Sequence, residues 1–357
     1  MKNLPFLKLG FPKGLIQNPI EDKKKMRRII SESKRLAKKQ KCFYCKKEVS
    51  SFCNSHSVPA FCLKNISSNG ELYTFNALVN SPLFDSKKGV RNSGTFQIIC
   101  KDCDSKIFQD YENPDNYIQK PTPKMIAQIA MKNYLKLISK RYHEHALYGM
   151  TKEINPSSSK MVDLNHKVQE MDLMEYIKSF EKAKRLSKKN WDGEYYLFYY
   201  ETLDYVVPIA FQSSIALITD LDGQIINDIY YHDISYKLED LHICILPLKE
   251  SSVILMFIDS KNKRYRNFYK KFNKLTLEDK LSLINYIIFL YSEEAIFSKD
   301  IPNEVLKNKN LINISKQSSN ILTTNPFIDP YKALREGYDL NKRNEIPNLL
   351  NEKYKLR

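Results

Sequence analysis

The chain has 357 residues, of which 42% are hydrophobic, so it is long enough to form two or three domains with hydrophobic cores. Its formal net charge is +16, and residues 1–150 carry almost all of it, with 27 Lys and Arg against 12 Asp and Glu. No stretch approaches the ~18 consecutive apolar residues of a transmembrane helix, and no apolar secretory segment opens the chain, so we expect a cytoplasmic protein without a membrane partner.

The first predicted element is a basic helix over residues 20–40. Acidic residues at its start and lysines at its end suit the helix dipole. A basic region beside a neutral one is typical of proteins that bind nucleic acid. We therefore predict phosphate contacts from six side chains of this helix: Lys24, Lys25, Arg27, Arg28, Lys34 and Arg35. The alternative is a basic face that is merely solvated.

Two Cys-x-x-Cys pairs follow, Cys42 with Cys45 and Cys100 with Cys103. Seven cysteines, an odd number, in a chain without a secretory segment favour reduced thiols over disulfides. Four thiolates in two such pairs match the ligand set of a tetrahedral structural Zn²⁺. We therefore predict a zinc site, with a variant ligand set as the alternative, drawn from Cys53, His56 or Cys62.

The elements after the first cysteine pair suggest an α+β fold. Short strands and loops are predicted up to Cys103, then a short helix that ends near residue 113, and then a long amphipathic helix over residues 124–150. A linker over residues 151–165 precedes a helix over residues 167–187. From residue 191 the hydrophobic period becomes that of four or five antiparallel strands, with tight turns at residues 221–224 and 246–252, and a helix follows from residue 276.

This order of elements predicts two domains and a tail. A zinc-stapled domain with its basic and long helices spans residues 20–150, and an α+β domain with an antiparallel sheet spans residues 165–320. Residues 321–357 contain scattered prolines and charges, and we expect this tail to be loosely docked or disordered.

The segment between the cysteine pairs contains NSHSVPAF, in which His56 precedes Val58 and Pro59, and Asp104 directly follows the last cysteine. This layout resembles the zinc-stapled, treble-clef form of the HNH (ββα-metal) endonucleases. The pattern of that family is CxxC, then an acidic residue with His and a hydrophobic-Pro pair, then CxxC with Asn or His next. The resemblance covers residues 42–112 and implies a ββα-metal module there.

The resemblance implies a role for each matching residue. His56 falls on the general base, which takes a proton from the attacking water, and Asp104 falls on a ligand of the catalytic Mg²⁺ or Mn²⁺. A neutral imidazole and a carboxylate-bound cation suit phosphodiester hydrolysis. Glu112 is expected to complete the site from the same helix. The alternative for Asp104 is a favourable helix N-terminal residue, and for Glu112 a surface residue.

Two positions depart from the family pattern. Ser55 stands where the family has an acidic residue, and Asp104 stands where it has Asn or His. We interpret this as an exchange, in which a carboxylate is lost at one position and gained at the other.

The sequence thus predicts a metal-dependent endonuclease that hydrolyses nucleic-acid phosphodiester bonds, with DNA favoured over RNA. The neutral C-terminal domain has no recognisable catalytic residues, and we expect it to sense, to select or to form a homodimer. Chains of this kind look like bacterial antiphage defence or restriction effectors, by analogy alone. Two alternatives remain: a non-catalytic, zinc-stapled regulator that binds DNA or RNA, and a regulator whose active element is the C-terminal domain.

Overall fold

The computed structural model describes residues 19–79, 85–154, 159–231, 233, 235–317 and 329–357. Within them the chain has the predicted α+β fold, with eleven α-helices, a seven-stranded antiparallel sheet and a separate pair of short strands. None of the described helices is long and apolar enough to cross a membrane.

The strands are β1 (Ser55–His56), β2 (Glu71–Thr74), β3 (Lys87–Gly89), β4 (Thr95–Phe96), β5 (Tyr195–Leu203), β6 (Ile209–Ile215), β7 (Leu241–Pro247), β8 (Ser252–Asp259) and β9 (Ile296–Phe297). The helices are α1 (Pro19–Ala37), α2 (Ala60–Ile66), α3 (Asn76–Val79), α4 (Lys101–Ile107), α5 (Pro123–Ile154), α6 (Ser159–Leu186), α7 (Arg266–Phe272), α8 (Leu277–Tyr291), α9 (Asn303–Leu306), α10 (Lys309–Gln317) and α11 (Pro330–Gly337).

The large sheet has the strand order β3-β2-β9-β6-β7-β8-β5, so it holds more strands than the four or five predicted. Both predicted turns are present, but the turn at residues 221–224 is spanned by an isolated bridge between Thr219 and Ile225 and does not join two strands as predicted. The β7–β8 hairpin closes with a hydrogen bond from the N–H of Leu248 to the carbonyl of Ser251 at 2.8 Å. At the other turn Gly223 has a φ of 74°, a left-handed conformation that glycine adopts without strain.

The central strands β6, β7 and β8 are buried along almost their whole length. Successive side chains of a strand point to opposite faces, so Ile243 and Ile245 of β7 enter one hydrophobic cluster while Cys244 and Leu246 enter another. The first cluster includes α7, α8 and the C-terminal residues, and the second includes α2, α5 and α6. The sheet therefore lies between two layers of helices.

The two predicted domains share this sheet. Strand β2, from the first region, pairs with β9 from the second, with Tyr73 opposite Phe297. The side-chain amide of Asn65 in α2 also donates to the carbonyl of Pro247 at the end of β7, at 3.0 Å. The described part of the predicted linker over residues 151–165 is helical, because α5 and α6 extend into it. The domain boundaries stay a prediction, but the two regions are joined by backbone pairing.

Helix α5 also carries a buried polar network where it meets the sheet. The amide of Asn133 lies 3.0 Å from Nδ1 of His242, and Nε2 of His242 lies 3.3 Å from the hydroxyl of Tyr134, which donates to Asp240 at 3.1 Å. Burial lowers the pKa of His242 to about 3, so its imidazole is neutral at pH 7. The network satisfies polar groups that would otherwise destabilise the core.

The expectation of a loosely docked or disordered tail is wrong for its described part, residues 329–357. Leu334, Leu340, Leu349 and Leu350 of this segment are fully buried in the first hydrophobic cluster. The N–H of Leu356 donates to the carbonyl of Val206 at 2.8 Å, which ties the end of the chain to the segment before β6. The leucines lie on short helical turns rather than on one long helix, which is why no helical period is visible. Residues 321–328 lie outside the described residues.

Candidate functional site

The four predicted zinc ligands lie together. The Sγ atoms of Cys42, Cys45, Cys100 and Cys103 are all within 4.8 Å of one another. Tetrahedral Zn²⁺ with Zn–S bonds of ~2.3 Å places its sulfur ligands ~3.8 Å apart, so the cluster has the size and the donor set of a structural zinc site. The cluster supports the predicted zinc site and its four-cysteine ligand set.

Backbone hydrogen bonds bring the two cysteine segments together. The N–H of Phe43 donates to the carbonyl of Ile98 at 2.9 Å, and the N–H of Cys100 lies 3.4 Å from the sulfur of Cys42. Burial alone would raise the pKa of the Cys42 thiol, but backbone N–H groups around its sulfur outweigh burial and lower that pKa to about 7. These N–H groups favour the thiolate form in which cysteine binds zinc, whereas burial raises the pKa of Cys100 and Cys103.

Strands β1 and β4 form the second part of the site. They are antiparallel, with Ser55 opposite Phe96 and His56 opposite Thr95, and α4 begins shortly after β4. This order of strand, strand and helix places His56 on β1 and Asp104 on α4, beside the cysteine cluster. Neighbouring residues of a strand point to opposite faces, so Ser55 and His56 make different contacts.

His56 is half-buried, and its Nε2 atom lies 3.0 Å from the carbonyl oxygen of Val90. A carbonyl can only accept a hydrogen bond, so the neutral ring carries its proton on Nε2 and leaves the lone pair of Nδ1 free. Val90 directly follows β3, the edge strand of the large sheet. The contact thus fixes the tautomer of His56 and leaves it with an atom that can take a proton.

Asp104 lies on the other side of β1, in a largely buried cluster of donors. The hydroxyl of Ser55 donates to its Oδ1 at 2.6 Å, the thiol of Cys53 to its Oδ2 at 3.4 Å, and the ammonium of Lys132 to its Oδ1 at 2.8 Å. Burial alone would raise the pKa of Asp104, but Lys132 and Ser55 outweigh burial and lower that pKa below its ordinary value. The carboxylate is therefore ionised at neutral pH.

Glu112 reaches the same ammonium, with its Oε1 atom 3.0 Å from Nζ of Lys132. It was expected on the helix of Asp104, but α4 ends at Ile107 and Glu112 lies in the turns beyond it. The structure thus joins the two predicted carboxylates through Lys132.

Lys132 was not identified from the sequence. Its side chain is 0% exposed, against 16% for Asp104 and 32% for Glu112, and its Nζ atom lies 3.9 Å from the ring centre of Phe108. A buried charge without a partner costs several kcal/mol, so this lysine needs its carboxylates. One signal was present: Gln128, Lys132 and Lys136 recur every four residues in the mostly apolar first half of α5.

The surroundings of Asp104 and Glu112 decide whether they fit a divalent cation. Mg²⁺ takes six oxygen ligands at ~2.0–2.1 Å, whereas both carboxylates here already bind an ammonium, and the neighbouring position on β1 is the hydroxyl of Ser55. A second cation at this place would be repelled by Lys132. As they stand in the structure, these residues do not fit a divalent cation.

The predicted nucleic-acid-binding residues lie on α1. Lys24, Arg27, Arg28, Lys34 and Arg35 are exposed, and the side chain of Lys25 lies outside the described residues. Two of them have acidic partners: Arg27 lies 3.5 Å from Asp85, and Arg35 donates to Glu32 at 3.0 Å. The helix therefore presents a partly neutralised basic face.

A second basic strip lies beside His56, on β3 and the turn that follows. Lys87, Lys88 and Arg91 are exposed there, and they flank Val90 in the chain. Burial, and then the charge of Lys88, lower the pKa of Lys34 on α1, which shows that the two basic surfaces approach each other. Among the described residues neither Lys34 nor Lys88 has a salt bridge. Sequence reasoning missed this strip because three residues are too short for a recognisable strand.

Comparison with protein-family models, with curated proteins and with solved structures gives no match for this chain.

Proposed function

We propose that this protein cleaves phosphodiester bonds of nucleic acid, with His56 as the general base. The observation that carries the proposal is the hydrogen bond between Nε2 of His56 and the carbonyl of Val90, which leaves Nδ1 of this half-buried ring without a hydrogen-bond partner among the described residues. A neutral imidazole held in one tautomer is suited to take a proton from a nucleophile near neutral pH. The adjoining four-cysteine cluster, with a structural Zn²⁺, would hold β1, β4 and α4 in place.

Charge supports nucleic acid as the partner. Almost all of the net charge of +16 comes from residues 1–150, and the basic residues Lys88 and Arg91 lie on either side of the residue that holds His56. Phosphates bound by these side chains would lie near the proposed base. From the sequence alone we also propose a homodimer through the C-terminal region and a role in antiphage defence or restriction.

The catalytic Mg²⁺ or Mn²⁺ expected from the sequence is not part of this proposal. Lys132 engages both Asp104 and Glu112, so no step of the proposed reaction depends on a metal ion at this place. What the residues do is hold the end of β1, α4 and α5 together around one buried ammonium. Asp104 is a positioning residue in this proposal, because it acts on β1 through the hydroxyl of Ser55.

One observation favours a second function, a zinc-stapled regulator that binds DNA or RNA without cleaving it. The two carboxylates that the resemblance would assign to catalysis are neutralised by a buried lysine, and Ser55 stands where an acidic residue is expected. Such a module would use Lys34, Lys88 and Arg91 for phosphate contacts and His56 for packing.

A cleavage assay separates the two functions. Purified zinc-loaded protein is incubated with plasmid DNA, single-stranded DNA and RNA, with and without Mg²⁺ or Mn²⁺, beside His56→Ala. The exposed His145 supplies the matched control His145→Ala. Cleavage that falls by ~100-fold or more in His56→Ala, with zinc content and fold retained, supports the nuclease. Binding without cleavage by the parent, unchanged in His56→Ala, supports the regulator.

A further inference from the structure

The only tryptophan of the chain, Trp191, is 39% exposed on the segment that joins α6 to β5. The backbone is held on both sides of this residue. The N–H of Lys124, at the start of α5, donates to the side-chain oxygen of Asn190 at 3.1 Å. Gly193 has a φ of 75°, a left-handed conformation that suits a tight turn. The indole is thus partly exposed on a backbone that local contacts position.

Trp191 borders a half-open cavity of about 130 Å³. The other walls are mostly apolar or aromatic and come from β5, the start of α5 and the turn before it: Pro121, Pro123, Ile126, Tyr195 and Leu197. A single exposed side chain needs no explanation, but an aromatic ring that lines an apolar cavity is a common feature of ligand sites. An apolar cavity of ~150 Å³ holds one benzene ring, so this cavity has room for a single flat ring.

Three exposed lysines lie next to residues of the cavity wall. Lys120 directly precedes Pro121, and Lys188 and Lys189 lie just before Trp191 in the chain. The Nζ atom of Lys189 is 4.1 Å from the centre of the indole ring. Within the described part of the chain none of these three lysines has a salt bridge, although nearby basic residues do. Positive charge beside a ring-sized apolar cavity suits a ligand that combines a flat ring with negative charge.

A nucleic-acid strand offers this combination, because each base is a flat ring that a sugar links to a phosphate. The one carboxylate of the lining, Asp192, is exposed and can accept a hydrogen bond from the amino group of a base. In a duplex the bases are already paired and stacked, so only an unpaired base can enter the cavity. A proline-rich peptide also docks against aromatic side chains, but it carries no phosphate for the three lysines.

We propose that the cavity beside Trp191 binds one unpaired base of a single-stranded nucleic acid, while Lys120, Lys188 and Lys189 bind its neighbouring phosphates. This inference rests on nucleic acid as the partner in the proposed function, and it names the strand form that the protein binds. It involves no residue of the His56 site and assigns no step of the reaction to Trp191. Loss of a stacking aromatic side chain weakens binding by roughly 5- to 100-fold.

Tryptophan fluorescence measures this binding directly, because Trp191 is the only tryptophan. Full-length, zinc-loaded protein is titrated with a short single-stranded oligonucleotide, with the corresponding duplex, with heparin as a polyanion without bases, and with a proline-rich peptide. The anisotropy of a label on each ligand measures binding in parallel. We expect the single strand to quench the fluorescence as it binds, and the other three ligands to give no comparable quenching.

Two variants separate stacking from charge. Trp191→Ala should bind the single strand roughly 5- to 100-fold more weakly than the parent, and the duplex equally well. Tyr231→Ala is the matched control, because Tyr231 is an aromatic residue that is 55% exposed and lies outside the cavity walls. It should bind both ligands as the parent does. Zinc content and circular dichroism confirm that each variant is folded.

Equal quenching by the single strand and the duplex would overturn the inference and leave the proposed function standing. The same holds if the single strand binds without quenching and with unchanged affinity in Trp191→Ala. Quenching by the proline-rich peptide alone would assign the cavity to a protein partner and also overturn the inference. Binding of no nucleic acid would overturn both the inference and the proposed function. Quenching by a single strand that is never cleaved would support the inference and overturn only the proposed cleavage.

Discussion

Replacement of Lys132 by methionine removes the ammonium and keeps a side chain of similar length in the core. In the parent this ammonium binds Asp104 at 2.8 Å and Glu112 at 3.0 Å with no exposed surface. The variant leaves two carboxylates facing each other without a cation. Removing one partner of a buried ion pair costs ~3–5 kcal/mol. Glu112 is 32% exposed and Asp104 keeps the hydrogen bond from Ser55, so we expect the lower end, ~3 kcal/mol.

The loss should also depend on pH in a defined direction. Without Lys132 the folded-state pKa of Asp104 rises above its value in the parent, because burial favours the neutral carboxyl and the ammonium no longer offsets it. The variant therefore loses less stability than the parent as the pH falls. The difference in unfolding free energy between the parent and Lys132→Met should therefore be smaller at pH 5 than at pH 7.

Urea denaturation of zinc-loaded protein at both pH values measures this difference. Lys106→Met removes an exposed lysine from α4 and should change stability by less than ~0.5 kcal/mol. An effect of Lys132→Met as small as that of Lys106→Met would refute the buried ion cluster, and so would a difference that grows as the pH falls.

Three further predictions concern the metal, the core and the basic surface. Cys103→Ser should lose the bound zinc and lower the midpoint of thermal unfolding, as measured by metal analysis and calorimetry; retained stoichiometric zinc would contradict the ligand set. Burial lowers the pKa of His242 to about 3, so the folded state loses stability as the pH falls below 6.5, by ~2 kcal/mol at pH 5, and His242→Gln should show a weaker dependence. The double variant Lys34→Ala, Lys88→Ala should weaken nucleic-acid binding and reduce the salt slope by up to ~2; an unchanged slope would place the contacts elsewhere.

The zinc-site cysteines could be predicted because their information is local. The ligand residues and the spacing within each Cys-x-x-Cys pair can be read directly from the sequence, and two such pairs match the ligand set of a tetrahedral zinc ion. The same holds for the long helix α5 and for the turns at Gly223 and at Leu248–Ser251, where a short run of residues determines the conformation.

The partners of the candidate site could not be predicted, because they meet across the fold. Lys132 lies 28 residues from Asp104 in the chain, and its burial depends on how α5 packs against α4. Its neighbours in sequence mark it only as a polar residue on an apolar side. Val90, which contacts His56, directly follows strand β3. That strand has only three residues, too few to show a hydrophobic period in the sequence.

The number of strands in the large sheet could not be predicted for the same reason. Strands β2 and β9 are short and far apart in the chain, yet Tyr73 pairs with Phe297 and joins the two predicted domains. Strand pairing between distant segments is set by packing of the whole core rather than by local sequence. The sequence separates a basic, zinc-stapled region from a neutral sheet region by composition. In the structure the two regions are not separate, because β2 and β9 pair in one sheet.

The central claim is that His56 takes a proton during phosphodiester cleavage, and chemical rescue tests it most directly. Cleavage of labelled RNA by zinc-loaded His56→Ala is measured with increasing imidazole in the buffer, beside Cys103→Ser, whose defect lies in the fold. The account predicts that imidazole restores part of the lost rate in His56→Ala, in proportion to its neutral form, and has no effect on Cys103→Ser. Full cleavage by His56→Ala without imidazole would contradict the claim.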